Sequence, residues 1–127
     1  MTVFVGDQQV TVSGQTGIYA LEAGTTGTPA VITRVARHTI VMVTRATSSV
    51  NVYRLPVDAE IGDVVETYQD LSLLEAGFGA CSMQAPSGED FGHADSSHIQ
   101  TAAGFGFGAR YCKLTSDTWG VSGSNPV

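Results

Sequence analysis

Short runs of β-branched and aromatic residues recur about every ten positions along this chain, with no helical period between them. Gly, Asp, Asn and Ser punctuate the runs. Thr2–Val5 and Gln9–Val12 flank Gly6-Asp7 and predict a small hairpin. Gly14, Gly17, Gly24 and Gly27 then break up a stretch that holds one brief strand, Ile18–Leu21. From Ala30 the texture changes. Val31–Val35, Thr39–Thr44, Ser49–Leu55, Asp63–Tyr68, Phe78–Met83, His98–Ala102, Phe105–Lys113 and Thr118–Val121 all read as strands. Asp70–Ala76 is the one helix-compatible window, too short to form a layer. The pattern predicts an all-β protein, a small antiparallel sandwich or barrel-like domain with a loop-rich N-terminal segment. It divides the chain into that segment, 1–30, a candidate for subunit contact, and a β-domain at 31–127. The short tail SGSNPV has no reason to be ordered by itself.

Composition narrows the function classes. The chain has 127 residues, 43% of them hydrophobic, which suits one domain with a modest core. Charged residues make up 14%, well below the roughly 25% of an average soluble protein. Ser, Thr, Gly, Asn and Gln supply the polarity instead. The net charge is −6, and the six Lys and Arg are scattered. No basic patch exists to neutralise phosphates, so neither nucleic acid nor an anionic membrane is an expected partner. No run approaches the roughly 18 apolar residues of a membrane span. MTVFVGDQQV lacks a basic start followed by an apolar run, so no secretory signal is expected and synthesis is assigned to the cytoplasm. Cys81 and Cys112 fit neither a CxxC nor a zinc pattern and read as buried free thiols. A disulfide, within the chain or between subunits, is the alternative for an extracellular or particle-borne protein.

Three stretches invite a chemical reading. In VYRLPVDAEIGDVVETY, Asp58, Glu60 and Asp63 are either an acidic site or the wet outside of a bend. They alternate with Val57, Ala59 and Ile61, Pro56 ends the strand before them, and Gly62 permits the turn into the next. Acid–base chemistry would need a second carboxylate held in an apolar cleft. The sequence predicts the bend. Gly104, Phe105, Gly106, Phe107 and Gly108 lack the spacing and following helix of a phosphate loop. Alternate glycines there predict a strand approached closely by another backbone, a candidate subunit interface. GEDFGHADSSH gathers Asp90, His93, Asp95 and His98, the densest set of metal-ligand types in the chain. Their spacing matches no metal site, so they read as turn formers and no metal is expected. His38 reads as a strand-edge surface residue. No GxSxG occurs, and no catalytic residue or cofactor is predicted. Trp119 reads as the large apolar anchor of the final hairpin.

Taken together, YRLPVDAEIGDVVETY, MQAPSGEDF and GARYCKLTSDTWGV resemble the small β-domains of bacteriophage virion proteins. These include capsid decoration (cement), head-fibre and tail-fibre proteins. The resemblance covers about residues 38–121. It implies a homotrimer without enzymatic activity, on the capsid exterior of the virion, binding the major capsid protein and stabilising the head. Residues 1–30 are then the candidate lattice contact. The alternatives are a receptor-binding fibre module and a carbohydrate-binding β-module. The last would need a row of exposed aromatics, and the chain has one Trp.

Overall fold

The computed structural model describes residues 1–22, 24–25, 27–45, 51–69, 81–91, 98–101 and 109–123. Every regular element among them is a strand. In chain order these are β1 (Thr2–Val5), β2 (Gln8–Ser13), β3 (Thr16–Glu22), β4 (Ala30–Val31), β5 (His38–Arg45) and β6 (Asn51–Arg54). There follow β7 (Val64–Gln69), β8 (Cys81–Gln84), β9 (Asp90–Phe91), β10 (His98–Thr101), β11 (Ala109–Lys113) and β12 (Thr118–Gly123). The all-β class predicted from the strand spacing is therefore what the chain adopts.

Two sheets form, one of eight strands ordered β1-β2-β3-β5-β7-β11-β12-β9 and one of four ordered β10-β8-β6-β4. They are not antiparallel throughout, which corrects the expectation. β3, β5 and β7 lie parallel in the large sheet, as do β12 and β9. β4, β6 and β8 lie parallel in the small one. From β3 to β8 the chain visits the two sheets alternately, so each strand lies beside the next but one and points the same way. Passage through the other sheet supplies the crossover that parallel neighbours require. Alternation of apolar residues reveals which face is buried and says nothing of a neighbour's direction.

The N-terminal stretch also departs from expectation. Residues 1–30 are not loop-rich; they hold β1, β2 and β3, and β3 runs beside β5 from Thr16↔His38 to Glu22↔Arg45. Val10 and Val12 of β2 face inward, with Gln9, Thr11 and Ser13 exposed between them. β1 and β2 pair antiparallel as the hairpin read at Thr2–Val5 and Gln9–Val12. Gln8 then serves as a surrogate strand. The Ala20 N–H donates to its Oε1 at 2.9 Å, and its Nε2 donates to the Ala20 carbonyl at 2.9 Å.

Val31–Val35 forms only the short β4, and Asp90–Phe91, read as part of a turn, forms β9. The helix-compatible window 70–76, the strand ends 78–80 and 105–108, and the tail from 124 lie outside the described residues.

One apolar cluster draws on both sheets, joining Val41, Val65, Tyr111 and Trp119 to Tyr53, Leu55 and Met83. Its corners are pinned in series. Ile32 N–H donates to the Arg54 carbonyl at 2.8 Å and Leu55 N–H to the Gln84 carbonyl at 3.0 Å. Ile32, Leu55 and Ala85 thus occupy matching places, all buried, in successive passages of the chain. The Tyr19 hydroxyl is also built in, accepting from Thr33 N–H at 2.7 Å and lying 3.2 Å from the Thr33 carbonyl. Burial pushes that phenol up to about 12, against the pull of the Thr33 hydrogen bonds.

Candidate functional site

The acidic bend does not have the uniform character its alternation suggested. Asp58 and Glu60 are exposed, but Asp63 is only 2% exposed. Its carboxylate accepts from Arg34 Nε at 2.5 Å and Nη2 at 3.3 Å, and from the Glu60 N–H at 2.8 Å. Arg37 Nε lies 3.5 Å away. Burial pushes the Asp63 carboxyl up, but these hydrogen bonds and the two guanidinium charges outweigh it and hold it below the usual carboxylate range. Gly62 explains why Asp63 differs from its neighbours. At φ +92° it turns the chain inward, while Asp63 N–H closes a turn onto the Glu60 carbonyl at 2.9 Å. Pro56 is buried just beyond the end of β6.

A second corner repeats this construction. Gly88 has φ +84°, and Glu89 N–H donates to the Pro86 carbonyl at 3.0 Å. Here too a carboxylate meets a cation from another element: Lys113 Nζ lies 3.1 Å from Glu89 Oε1. Trp119, 1% exposed, donates from Nε1 to that same oxygen at 2.9 Å. The Lys113 ammonium lies 5.9 Å from the centre of the Trp119 ring. The Lys113 backbone also clasps the first corner, accepting from Gly62 N–H at 2.8 Å and donating to the Asp63 carbonyl at 3.0 Å. These two corners are structural latches.

The surface with binding character is the outer face of the large sheet. Cross-strand register places Ala20, Met42 and Tyr68 in one row, and Ile18, Ile40, Glu66 and Arg110 in the next. Thr16, His38, Val64 and Cys112 make a third. Ile18 is 55% exposed, Met42 44% and Tyr68 46%. Phe4 of β1, alternating with the inward Val3 and Val5, adds a further exposed ring. A single large apolar residue in water is ordinary, but adjacent rows of them are not.

Set into this apolar face is a compact charged group. Glu66 accepts a short hydrogen bond from the Tyr68 hydroxyl, and its Oε1 lies 2.6 Å from His38 Nε2. Arg110 Nε is 3.8 Å from that oxygen. Partial burial pushes the Glu66 carboxyl up, yet the bonds from Tyr68 and His38, with the charges of His38 and Arg110, hold it below its ordinary range. The same bond to Glu66 pushes the Tyr68 phenol up. Because its charges already satisfy one another, this face can be desolvated by a partner at less cost than one with free carboxylates.

His38 is therefore not at a strand edge but in β5, between β3 and β7. Cys112 carries a free, half-buried thiol on this outer face rather than in the core. Cys81 lies in β8, and its side chain is outside the described residues, as are Gly104–Gly108, His93 and Asp95. Asp90 lies in β9 and His98 in β10. The sequence reading missed Ile18, Met42, Glu66 and Tyr68 as one surface. Glu66 and Tyr68 do share a face by their spacing, but only the parallel register brings them to Ile18 and Met42. No protein-family model matches this chain, and no curated protein matches its sequence.

Proposed function

We propose that this chain is a structural protein of a bacteriophage head, a decoration or cement protein that binds the assembled lattice of the major capsid protein. On this reading the two sheets close as a sandwich over the shared core. The chain acts as a homotrimer on the capsid exterior, without enzymatic activity, after synthesis in the host cytoplasm. The observation that carries the proposal is the outer face of the large sheet. Its exposed Ile18, Met42 and Tyr68 lie in the rows that hold charges already paired, and Phe4 extends the apolar surface toward the β1 edge. A stable contact takes about 800 Å² from each partner, about an eighth of the 6639 Å² surface of this chain. Phe4 and Ile18 bring the N-terminal segment into that contact, as the resemblance implied. A partner that binds only the assembled shell shifts the balance away from disassembly by mass action.

The test uses particles of the phage that carries the gene. Antibodies to the chain should label the heads of intact particles. Ile18→Asp combined with Met42→Asp should leave the free chain folded, because both side chains are exposed, and should abolish head binding. Labelling confined to tail fibres would favour the receptor-binding alternative. Absence from particles would overturn both.

A further inference from the structure

A cavity of about 470 Å³ opens where β6 and β8 of the small sheet meet the second corner, lined by Arg54, Gln84, Pro86, Ser87, Gly88 and Glu89 among others. Its volume lies within the range of small-molecule sites, about 300–1,000 Å³. The charge arrangement here differs from that elsewhere in the protein. Arg34, Arg37, Arg110 and Lys113 each face a carboxylate. Among the Lys and Arg with described side chains, Arg54 alone faces no carboxylate of a described residue. Its Nε and Nη2 donate to Gln84 Oε1 at 3.3 and 2.8 Å. Those two bonds occupy the side of the guanidinium and fix its plane. The end-on fork, Nη1 with the second hydrogen of Nη2, has no partner among the described residues and keeps the geometry that suits a carboxylate.

Glu89 provides the second half of the site. It is largely buried, and its Oε1 is engaged by Trp119 and Lys113. Its Oε2 has no partner among the described residues. A fixed carboxylate oxygen on the cavity wall repels a doubly charged phosphate but accepts well from a neutral hydroxyl. Ser87 and Gln84, which carry a hydroxyl and an amide, line the same space. One positive fork facing a rim of hydroxyl-matching groups describes a ligand with one carboxylate and several hydroxyls.

We propose that this cavity binds an acidic sugar unit of the uronic-acid class, with its carboxylate on Arg54 and a hydroxyl on Glu89. The site is separate from the lattice contact. Arg54 and Gln84 are partners in the small sheet, whereas the apolar rows belong to the large one.

Chemical-shift mapping of the full chain against D-glucuronate, D-glucose and inorganic phosphate tests this. D-Glucuronate should saturate with a Kd on the order of 1 mM and shift resonances of Arg54, Gln84 and residues 87–89. D-Glucose, lacking the carboxylate, should bind about tenfold more weakly or worse. Gln84→Glu is the sharpest variant, because it gives Arg54 a built-in carboxylate of the same size. It should lose binding about tenfold or more while melting at or above the parent temperature. Arg54→Gln should lose binding as well. No saturation by D-glucuronate, equal binding of D-glucose, phosphate binding as tight as D-glucuronate, or full binding by Gln84→Glu would each overturn the assignment.

Discussion

Replacing Asp63 by Asn separates a buried latch from a wet bend. The asparagine keeps one acceptor for the Glu60 N–H and Arg34 Nε, which share Oδ2, but loses the negative charge and turns an amide donor toward Arg34 Nη2, now 3.3 Å from Oδ1. Breaking a buried ion pair costs about 3–5 kcal/mol, and losing a hydrogen bond to a charged group about 1.5–3. Arg34 is 24% exposed and keeps Glu60 at 3.1 Å, so the lower range applies and the expected loss is about 2–3 kcal/mol. For a chain of 127 residues, the unfolding entropy near the midpoint is about 0.27 kcal/mol/K, so the loss lowers Tm by about 7–11 °C. Glu60→Gln removes a 69% exposed partner and should stay within about 0.5 kcal/mol. Because the folded carboxyl of Asp63 lies below its ordinary value, its stabilisation is present in full above the unfolded pKa of about 3.9 and is lost as pH falls through the folded one. Thermal melts followed by circular dichroism should show a wide gap between parent and Asp63→Asn at pH 7 that narrows in acid. An Asp63→Asn melt matching that of Glu60→Gln, or a gap that persists at the lowest pH, would refute the reasoning.

Three further outcomes follow from the packing. Trp119→Ala should cost about 3–5 kcal/mol, because the indole is 1% exposed and anchors Glu89; an unchanged melting temperature would remove it from the core. Gly62→Ala and Gly88→Ala place a side chain at φ +92° and +84°, costing about 1–3 kcal/mol each. Gly62 should lose the more, since its Cβ would lie 3.0 Å from Arg37 Nη2 while that of Gly88 meets nothing; equal losses would show that the backbone angle alone decides. Gln8→Ala, measured by urea unfolding, should cost about 1–3 kcal/mol by unpairing the N–H and carbonyl of Ala20, whereas the exposed Gln9→Ala should be neutral.

The strands were legible because β-branched residues and alternation act locally. Ile40, Val41, Met42 and Val43 make a strand almost wherever they are placed, and β5 is one. Direction and partner were not legible. Whether Met42 lies beside Ala20 and Tyr68 depends on a chain path through the other sheet, which leaves no period in the sequence. The bend was half legible. Pro56 and Gly62 are local signals and mark where the chain turns, but the burial of Asp63 depends on Arg34, twenty-nine positions away. A carboxylate that alternates with apolar neighbours looks the same from the sequence whether water or a guanidinium faces it.

That ambiguity bears on how the fold divides its few charges. With six Lys and Arg against twelve Asp and Glu, cations are the scarcer partners, so their placement is informative. Arg34 and Arg37 hold the corner at Asp63, and Lys113 holds the corner at Glu89 while its backbone bonds the first. These pairs join consecutive passages of the chain where no ladder can, because the backbone there is turning. Arg110 settles Glu66 on the outer face of the large sheet, where Glu66 also meets His38. Once those needs are met, a cation used only for folding would be expected to face one of the carboxylates that remain. Arg54 instead faces a neutral amide beside a cavity. An arginine held in place, with its end-on fork unbonded among the described residues, carries part of its solvation cost without a charged partner there to offset it. A ligand carboxylate offsets that cost, and Gln84→Glu measures the same offset within the protein itself.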